Sequence, residues 1–283
     1  MNILESIILG VIQGITEFLP ISSTGHLTLA GKLMGLISDS HPEAWTSFIA
    51  VIQLGTLASI LVYFREDIKN IVTTFTKESL FERKSYRKQS LHSRLGWLII
   101  IGTIPVAVVG LLFKHQIEGV FTKNLHVIAV SLIALAILLG IAEKVASHKK
   151  EIAEIGWLDA LVVGIAQAFA LIPGSSRSGT TLTGGLFMGM NRAAAARFSF
   201  LLSIPAIFAS GALELYQACK MGIDSTGAVN YAVATAVSGI SGYCAIDFLL
   251  KYLRTNTTLV FVYYRIALGM LILGLLATDR IVP

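Results

Sequence analysis

Charge is what this sequence has least of. Only 14% of its 283 residues are Asp, Glu, Lys or Arg, while 54% are hydrophobic and the mean hydropathy is +0.74. An average soluble domain carries about 25% charged residues, so a soluble globule of this length could not cover its surface. The same figures exclude disorder. Cysteine is almost missing: Cys219 and Cys244 sit in apolar surroundings and make no disulfide framework. Collagen and coiled-coil repeats are absent as well. The net charge of +5 lies on no basic stripe of a polar domain. No nucleic-acid partner is therefore expected, and the excess reads as loop bias. The N-terminus, MNILESIILG, lacks a basic n-region and a small-residue cleavage site, and reads as mature structure. What remains is an all-α, multi-pass membrane protein in contact with membrane lipids.

A helix needs about 20 apolar residues to cross the hydrocarbon. Six stretches approach that length: 44–64, 95–113, 125–142, 198–217, 226–248 and 259–278. Two other regions do not fit. Residues 3–19 carry Gln13, Thr16 and Glu17 and stop at Pro20, and the next stretch, 24–37, is short and holds His26 and Lys32. Residues 160–172 and 178–190 repeat this pattern around PGSSRSG. Each pair predicts two half-length helices meeting at a polar turn. Such a re-entrant hairpin is tolerated at membrane depth only where protein or water surrounds it.

The two regions match each other. GVIQGITEFLPISSTG (10–25) orders Gly10, Gln13, Pro20, Ser22, Ser23 and Gly25. GIAQAFALIPGSSRSG (164–179) orders Gly164, Gln167, Pro173, Ser175, Ser176 and Gly179, with a one-residue slip around the proline. The chain thus reads as a single membrane domain of two copies, about 1–142 and 156–283. Each copy has a hairpin and three spans. Three is odd, so the second copy is inverted in the membrane, an arrangement that usually builds a site at the repeat interface. Placing 65–94 in the cytoplasm puts 15 Lys and Arg inside and 5 outside, with Arg177 and Arg265 in the membrane. This bias predicts both termini outside. The first hairpin then enters from outside, and the basic 65–94 loop meets anionic lipid heads.

Gln13 and Glu17 are four apart and share a helix face. An ionisable group at this depth is expensive unless functional. A carboxylate with an amide oxygen suits a hard divalent cation such as Mg²⁺ or Ca²⁺. In PISSTGH (20–26), Pro20 stops the helix, and Ser22, Ser23 and Thr24 precede His26. Hydroxyl plus imidazole is a nucleophile-and-base combination, with the spacing placing the Ser23 hydroxyl close to His26. Capping of the second half-helix by Ser23 or Thr24 is the structural alternative. In PGSSRSGTT (173–181), Gly174 and Gly179 would let amides converge into an anion nest at a helix start. Arg177 adds a forked donor for phosphate, and Ser176, Ser178 and Thr181 add hydroxyls. The structural alternative there is an Arg177–Glu17 ion pair. Arg265 could contribute, or snorkel to the cytoplasmic surface. Gln53 reads as an interhelical hydrogen bond or a wall of the site, and Glu214 and Asp247 as solvated span ends. Gly10/Gly14 and Gly185/Gly189 read as small-residue packing faces. A cation site, hydroxyls with histidine and an arginine nest within a membrane point to a phosphate ester or anhydride on a lipid.

QGITEFLPISSTGH, FIAVIQLGTLAS, PGSSRSGTTLTGGLFMG and FSFLLSIPA resemble the bacterial undecaprenyl-diphosphatase family, also called the bacitracin-resistance protein family, over nearly the whole chain. The resemblance implies removal of the terminal phosphate of undecaprenyl diphosphate, which recycles the lipid carrier for peptidoglycan. It also implies a divalent cation, residence in the bacterial inner membrane and a site facing the periplasmic or outer side. It carries the (E/Q)xxxE motif onto Gln13 and Glu17, SSTGH onto Ser22–His26, and PGxSRSxxT onto Pro173, Gly174, Ser176, Arg177, Ser178 and Thr181. On this reading Glu17, Ser23, His26 and Arg177 are catalytic, Gln13 and Glu17 hold the metal, and the remaining polar groups with Gln53 and Arg265 bind substrate. An apolar groove between the copies would take the prenyl tail. The rival class is a transporter or flippase for undecaprenyl phosphate, since inverted repeats with broken helices are transporter architecture. Oligomeric state is open, a homodimer included.

Overall fold

The computed structural model describes residues 1–37, 42–113, 124–221, 225–278 and 280–281. Lys114 and Lys123, used in the orientation count, lie outside them. Among the described residues there is no strand, only an isolated bridge between Lys150 and Met190. Six helices are long and apolar enough to cross a membrane: α3 (Pro42–Tyr63), α5 (Leu91–Leu112), α6 (Leu125–Val145), α9 (Arg192–Met221), α10 (Ser225–Tyr252) and α11 (Leu259–Ala277). They fall on the six expected stretches, α5 and α9 starting several residues earlier. The protein is a multi-pass membrane protein. Large apolar side chains on these helices face outward, as Leu112, Phe208 and Ile240 do. In water that would be a liability; in lipid it is the ordinary state.

Four short helices lie where the half-length pieces are expected: α1 (Ile3–Phe18) with α2 (Ser23–Leu33), and α7 (Trp157–Ala168) with α8 (Arg177–Phe187). α1 starts on a capping box between Asn2 and Glu5 and ends before Pro20, which cannot continue it. α7 tightens into a 3-10 turn, Phe169–Leu171, before Pro173. Between the first two long helices stands α4 (Arg65–Phe75), followed by a π-helical turn, Thr76–Phe81.

The two tips share their local structure. Ser22 (φ 76°) and Ser176 (φ 66°) adopt the left-handed region that non-glycine residues rarely enter. Each caps its helix, Ser22 Oγ accepting from Gly25 N and Ser176 Oγ from Gly179 N, both at 3.2 Å. Capping therefore falls on Ser22, not on Ser23 or Thr24. Both second helices end alike as well. Gly35 (φ 67°) and Gly189 (φ 81°) follow Met34 and Met188, with Leu36 N bonded to Gly31 O and Met190 N to Gly185 O. Gly189 is thus a helix terminator, while Gly185 packs on Ala195.

Cross-packing holds the short helices. α1 lies against α10 and α7 against α5, while α3 packs on α9 and α10 and α6 on α11. Glycine permits these approaches. A Cβ on Gly14 would stand 2.5 Å from the Ser238 carbonyl, and one on Gly164 2.3 Å from the Gly102 carbonyl. Phe18, at the end of α1, meets Phe200 of α9 edge-on, 5.3 Å between ring centres, in the main core beneath the tips.

Candidate active site

The end of α1, the start of α2 and the start of α8 converge on one carboxylate. Glu17 is buried. Its Oε1 pairs with the Arg177 guanidinium, and its Oε2 accepts from Gln13 Nε2 at 2.9 Å and Ser23 Oγ at 2.7 Å. Ser23 and Arg177 are the first residues of α2 and α8, each directly after its capping serine. Equivalent positions thus place a hydroxyl and a guanidinium on the same acid. Matching by residue type pairs Ser23 with Ser176; the backbone pairs it with Arg177. Ser178 Oγ donates to the Leu19 carbonyl at 3.0 Å and ties the second tip to the first.

The carboxylate stands in the wall of a cavity of about 550 Å³. Ser22, Ser23, Thr24, Ser176 and Arg177 line its polar end, with Gln53 and Gln167. Ile49, Val106, Leu111, Pro205 and Leu213 make much of the rest apolar. Trp45 and Glu214 also line it, so Glu214 belongs to this cavity rather than to a plain solvated helix end. Asp247 is bound by Lys251 and Tyr63.

Several expectations are corrected. His26 does not hydrogen-bond Ser23. Its Nδ1 lies 2.7 Å from the Ser22 carbonyl, to which it donates, leaving Nε2 to accept from the Tyr264 hydroxyl at 2.7 Å. Its ring stacks on Tyr264 and is not among the cavity-lining groups. In the first turn of a helix the i, i+3 relation aligns backbones, but each side chain takes the strongest partner in reach, here a carboxylate for Ser23. Gly174 (φ 84°) presses on α6, where a Cβ would meet the Ile128 carbonyl at 2.4 Å, and Pro173 O accepts from Ser131. The Gly179 amide is consumed by the Ser176 cap. Neither glycine is among the cavity-lining residues. Thr181 bonds the Arg177 carbonyl at 2.7 Å and Ser199 at 2.5 Å, away from it. Arg265 does not snorkel. It is fully buried, and its Nη2 donates to the Ser175 carbonyl at 2.8 Å from behind the second tip.

Among the described residues no group of three or more His, Cys, Asp or Glu could hold a metal. The hard oxygens here are Glu17 and Gln13 Oε1, a buried acceptor without a donor. That small set fits Mg²⁺, which characteristically takes one or two carboxylates and completes its shell with phosphate and water. Cavity residues that gave no functional signal in sequence include Ser175, and Gln167, visible only as the counterpart of Gln13. Tyr264 gave none either.

Comparison with known proteins places the chain among named relatives. Residues 6–271 match the profile of a family described as "Bacitracin resistance protein BacA". The undecaprenyl-diphosphatase of Syntrophobacter fumaroxidans is 57% identical over 272 residues, 95% of each chain. That of Chlorobaculum tepidum is 47% identical over the full length of both chains. That of Myxococcus xanthus is 48% identical over this whole chain and 92% of its own. A membrane protein whose paired tips carry SSTGH and PGSSRSG, matched from end to end by these relatives, belongs to the BacA bacitracin resistance family.

Proposed function

We propose that the chain hydrolyses undecaprenyl diphosphate to undecaprenyl phosphate and inorganic phosphate, recycling the carrier for cell-wall synthesis and conferring bacitracin resistance. One observation carries this reading beyond the names of the relatives. A single buried carboxylate holds a hydroxyl on one oxygen and a guanidinium on the other, at the polar end of a largely apolar cavity. A carrier needs an anion site but has no use for a hydroxyl held on a base, so this arrangement favours the hydrolase over the flippase.

The chemistry follows from positioning and charge. Arg177, with Ser22, Thr24, Gln53 and Ser176 around it, binds the phosphate oxygens. Ser23 Oγ attacks the terminal phosphorus and passes its proton to Glu17. The bond from that phosphorus to the bridging oxygen breaks, and undecaprenyl phosphate departs. Water then attacks the phosphoserine, the bond to Oγ breaks, and Glu17 returns the proton to Ser23 as inorganic phosphate leaves. His26 steadies the tip through the Ser22 carbonyl and Tyr264. Gln13 and Glu17 would hold a divalent cation, Mg²⁺ or Ca²⁺, which when bound neutralises charge on the diphosphate. The apolar wall takes the first part of the prenyl tail.

The two-copy reading, with re-entrant hairpins and inverted halves at about 1–142 and 156–283, is supported by the matching caps, φ values and terminators and by the exchange of α1 onto α10 and α7 onto α5. Under the orientation with both termini outside, Trp45 and Glu214 stand at the outer ends of α3 and α9, so the cavity opens to the outer face of a bacterial cytoplasmic (inner) membrane. The purified protein in detergent should release phosphate from undecaprenyl diphosphate in a cation-dependent way, whether monomer or homodimer. Binding without release in every cation tested would leave only the carrier reading.

A further inference from the structure

The cavity holds polar atoms that the mechanism above does not use. Gln167 of α7 is fully buried and lines it, yet neither its Nε2 nor its Oε1 has a hydrogen-bond partner in the protein. Ser175, also fully buried and lining the cavity, has a hydroxyl with none. An unsatisfied buried polar group is destabilising, and native structures rarely carry several together without a reason. The counterpart Gln13 differs because Glu17, four residues on, takes its amide. Four residues after Gln167 stands Leu171, so the second copy supplies no acid, and its amide is left without that partner.

A carboxamide NH₂ and a hydroxyl both donate, and Arg177 beside them is donor-only. The ligand they fit is therefore an oxyanion. Its place follows from the elements. The attacking hydroxyl and its base belong to the first hairpin. Gln167 sits on α7, which packs on α5, and α5 contributes the apolar Val106 and Leu111. On the mechanism proposed above, the first hairpin would face the phosphate that is removed, which leaves the α7 side for the phosphate that stays on the lipid.

We propose that Gln167 and Ser175 bind the lipid-linked phosphate, forming a subsite that both substrate and lipid product occupy. This rests on the phosphatase reading and adds to it the division of the site between the two phosphates. Arg265 positions the subsite by holding the Ser175 carbonyl.

Gln167→Met keeps length and removes both polar ends. It should raise KM for undecaprenyl diphosphate at least tenfold while kcat stays within about threefold. Inhibition by an added prenyl monophosphate should weaken by a similar factor, and inhibition by inorganic phosphate should not. The ligand-free variant should melt no lower than wild type, because an unpaired amide has been removed. Ser175→Ala should show the same pattern more weakly. Titration calorimetry with the prenyl monophosphate, which needs no turnover, should show the same loss in both variants. Wild-type protein that binds the monophosphate but never releases phosphate would sink the phosphatase reading and leave the subsite readable by calorimetry. Unchanged monophosphate affinity in Gln167→Met, a loss confined to inorganic phosphate, or a lower melting temperature with normal KM would each overturn the subsite.

Discussion

A carboxylate buried among helices must have its charge answered at its own oxygens, and Glu17 has both occupied. Breaking a buried pair by removing one partner costs about 3–5 kcal/mol, because the other charge is stranded. Arg177→Ala therefore confounds folding with function, and Arg177→Lys is the better probe. Lysine keeps the charge and loses the planar fork, so kcat/KM should fall by more than tenfold, at least about 1.4 kcal/mol of transition-state stabilisation, with expression unchanged. Full activity would make the arginine structural. Ser23→Ala should abolish single-turnover phosphate release while the diphosphate lipid still binds; retained chemistry would pass the attack to water. Ser22 is a different case, since its hydroxyl oxygen accepts the cap bond from Gly25 N and its φ is 76°. Alanine loses the cap, about 1 kcal/mol, and keeps the strained φ, whereas glycine loses only a few tenths and relaxes it. Ser22→Gly should thus melt higher than Ser22→Ala, an order opposite to that at an ordinary helical serine.

At the scale of the element, the half-helices are too short to span and depend on what grips them. α1 carries Gly10 and Gly14 on the face against α10, and α7 carries Gly164 against α5. A methyl group at Gly14 would stand 2.0 Å from Ser241 Oγ, and at Gly164 2.3 Å from a backbone carbonyl. Overpacking of this kind costs about 1–3 kcal/mol. Gly14→Ala and Gly164→Ala should each lower the melting temperature in detergent and reduce turnover together, since both hairpins carry the site. Gly274→Ala, with nothing within 4 Å of the new carbon, should leave both unchanged. Equal behaviour of the three variants would show that these approaches do not set the tips.

For the whole molecule the open question is which way it faces. Arg197 pairs with Asp67 of the 65–94 segment placed in the cytoplasm, and Arg192 pairs with Glu143. In a background with Cys219 and Cys244 replaced, an impermeant thiol reagent on intact cells should modify a cysteine at position 283, outside the described residues, and spare one at 84. The reverse pattern would turn the molecule over and move the cavity mouth to the cytoplasm.

Membrane residence, the six spans, the four short helices and the local likeness of the two tips were all legible in the sequence. Each is a local property: a run of apolar residues must match the hydrocarbon thickness, and Pro and Gly interrupt a helix wherever they stand. Glu17, Ser23 and Arg177 were legible too, because charge and hydroxyls at membrane depth are conspicuous. Partnership was not. Ser23 rests on Glu17 rather than His26, the capping serine is Ser22, and Arg265 serves the Ser175 carbonyl from behind. Gln167 emerges as a cavity residue only once α7 is laid against α5. A side chain's partner depends on which helix packs beside it, and that is decided by close approaches between segments sixty or more residues apart, which no local spacing records.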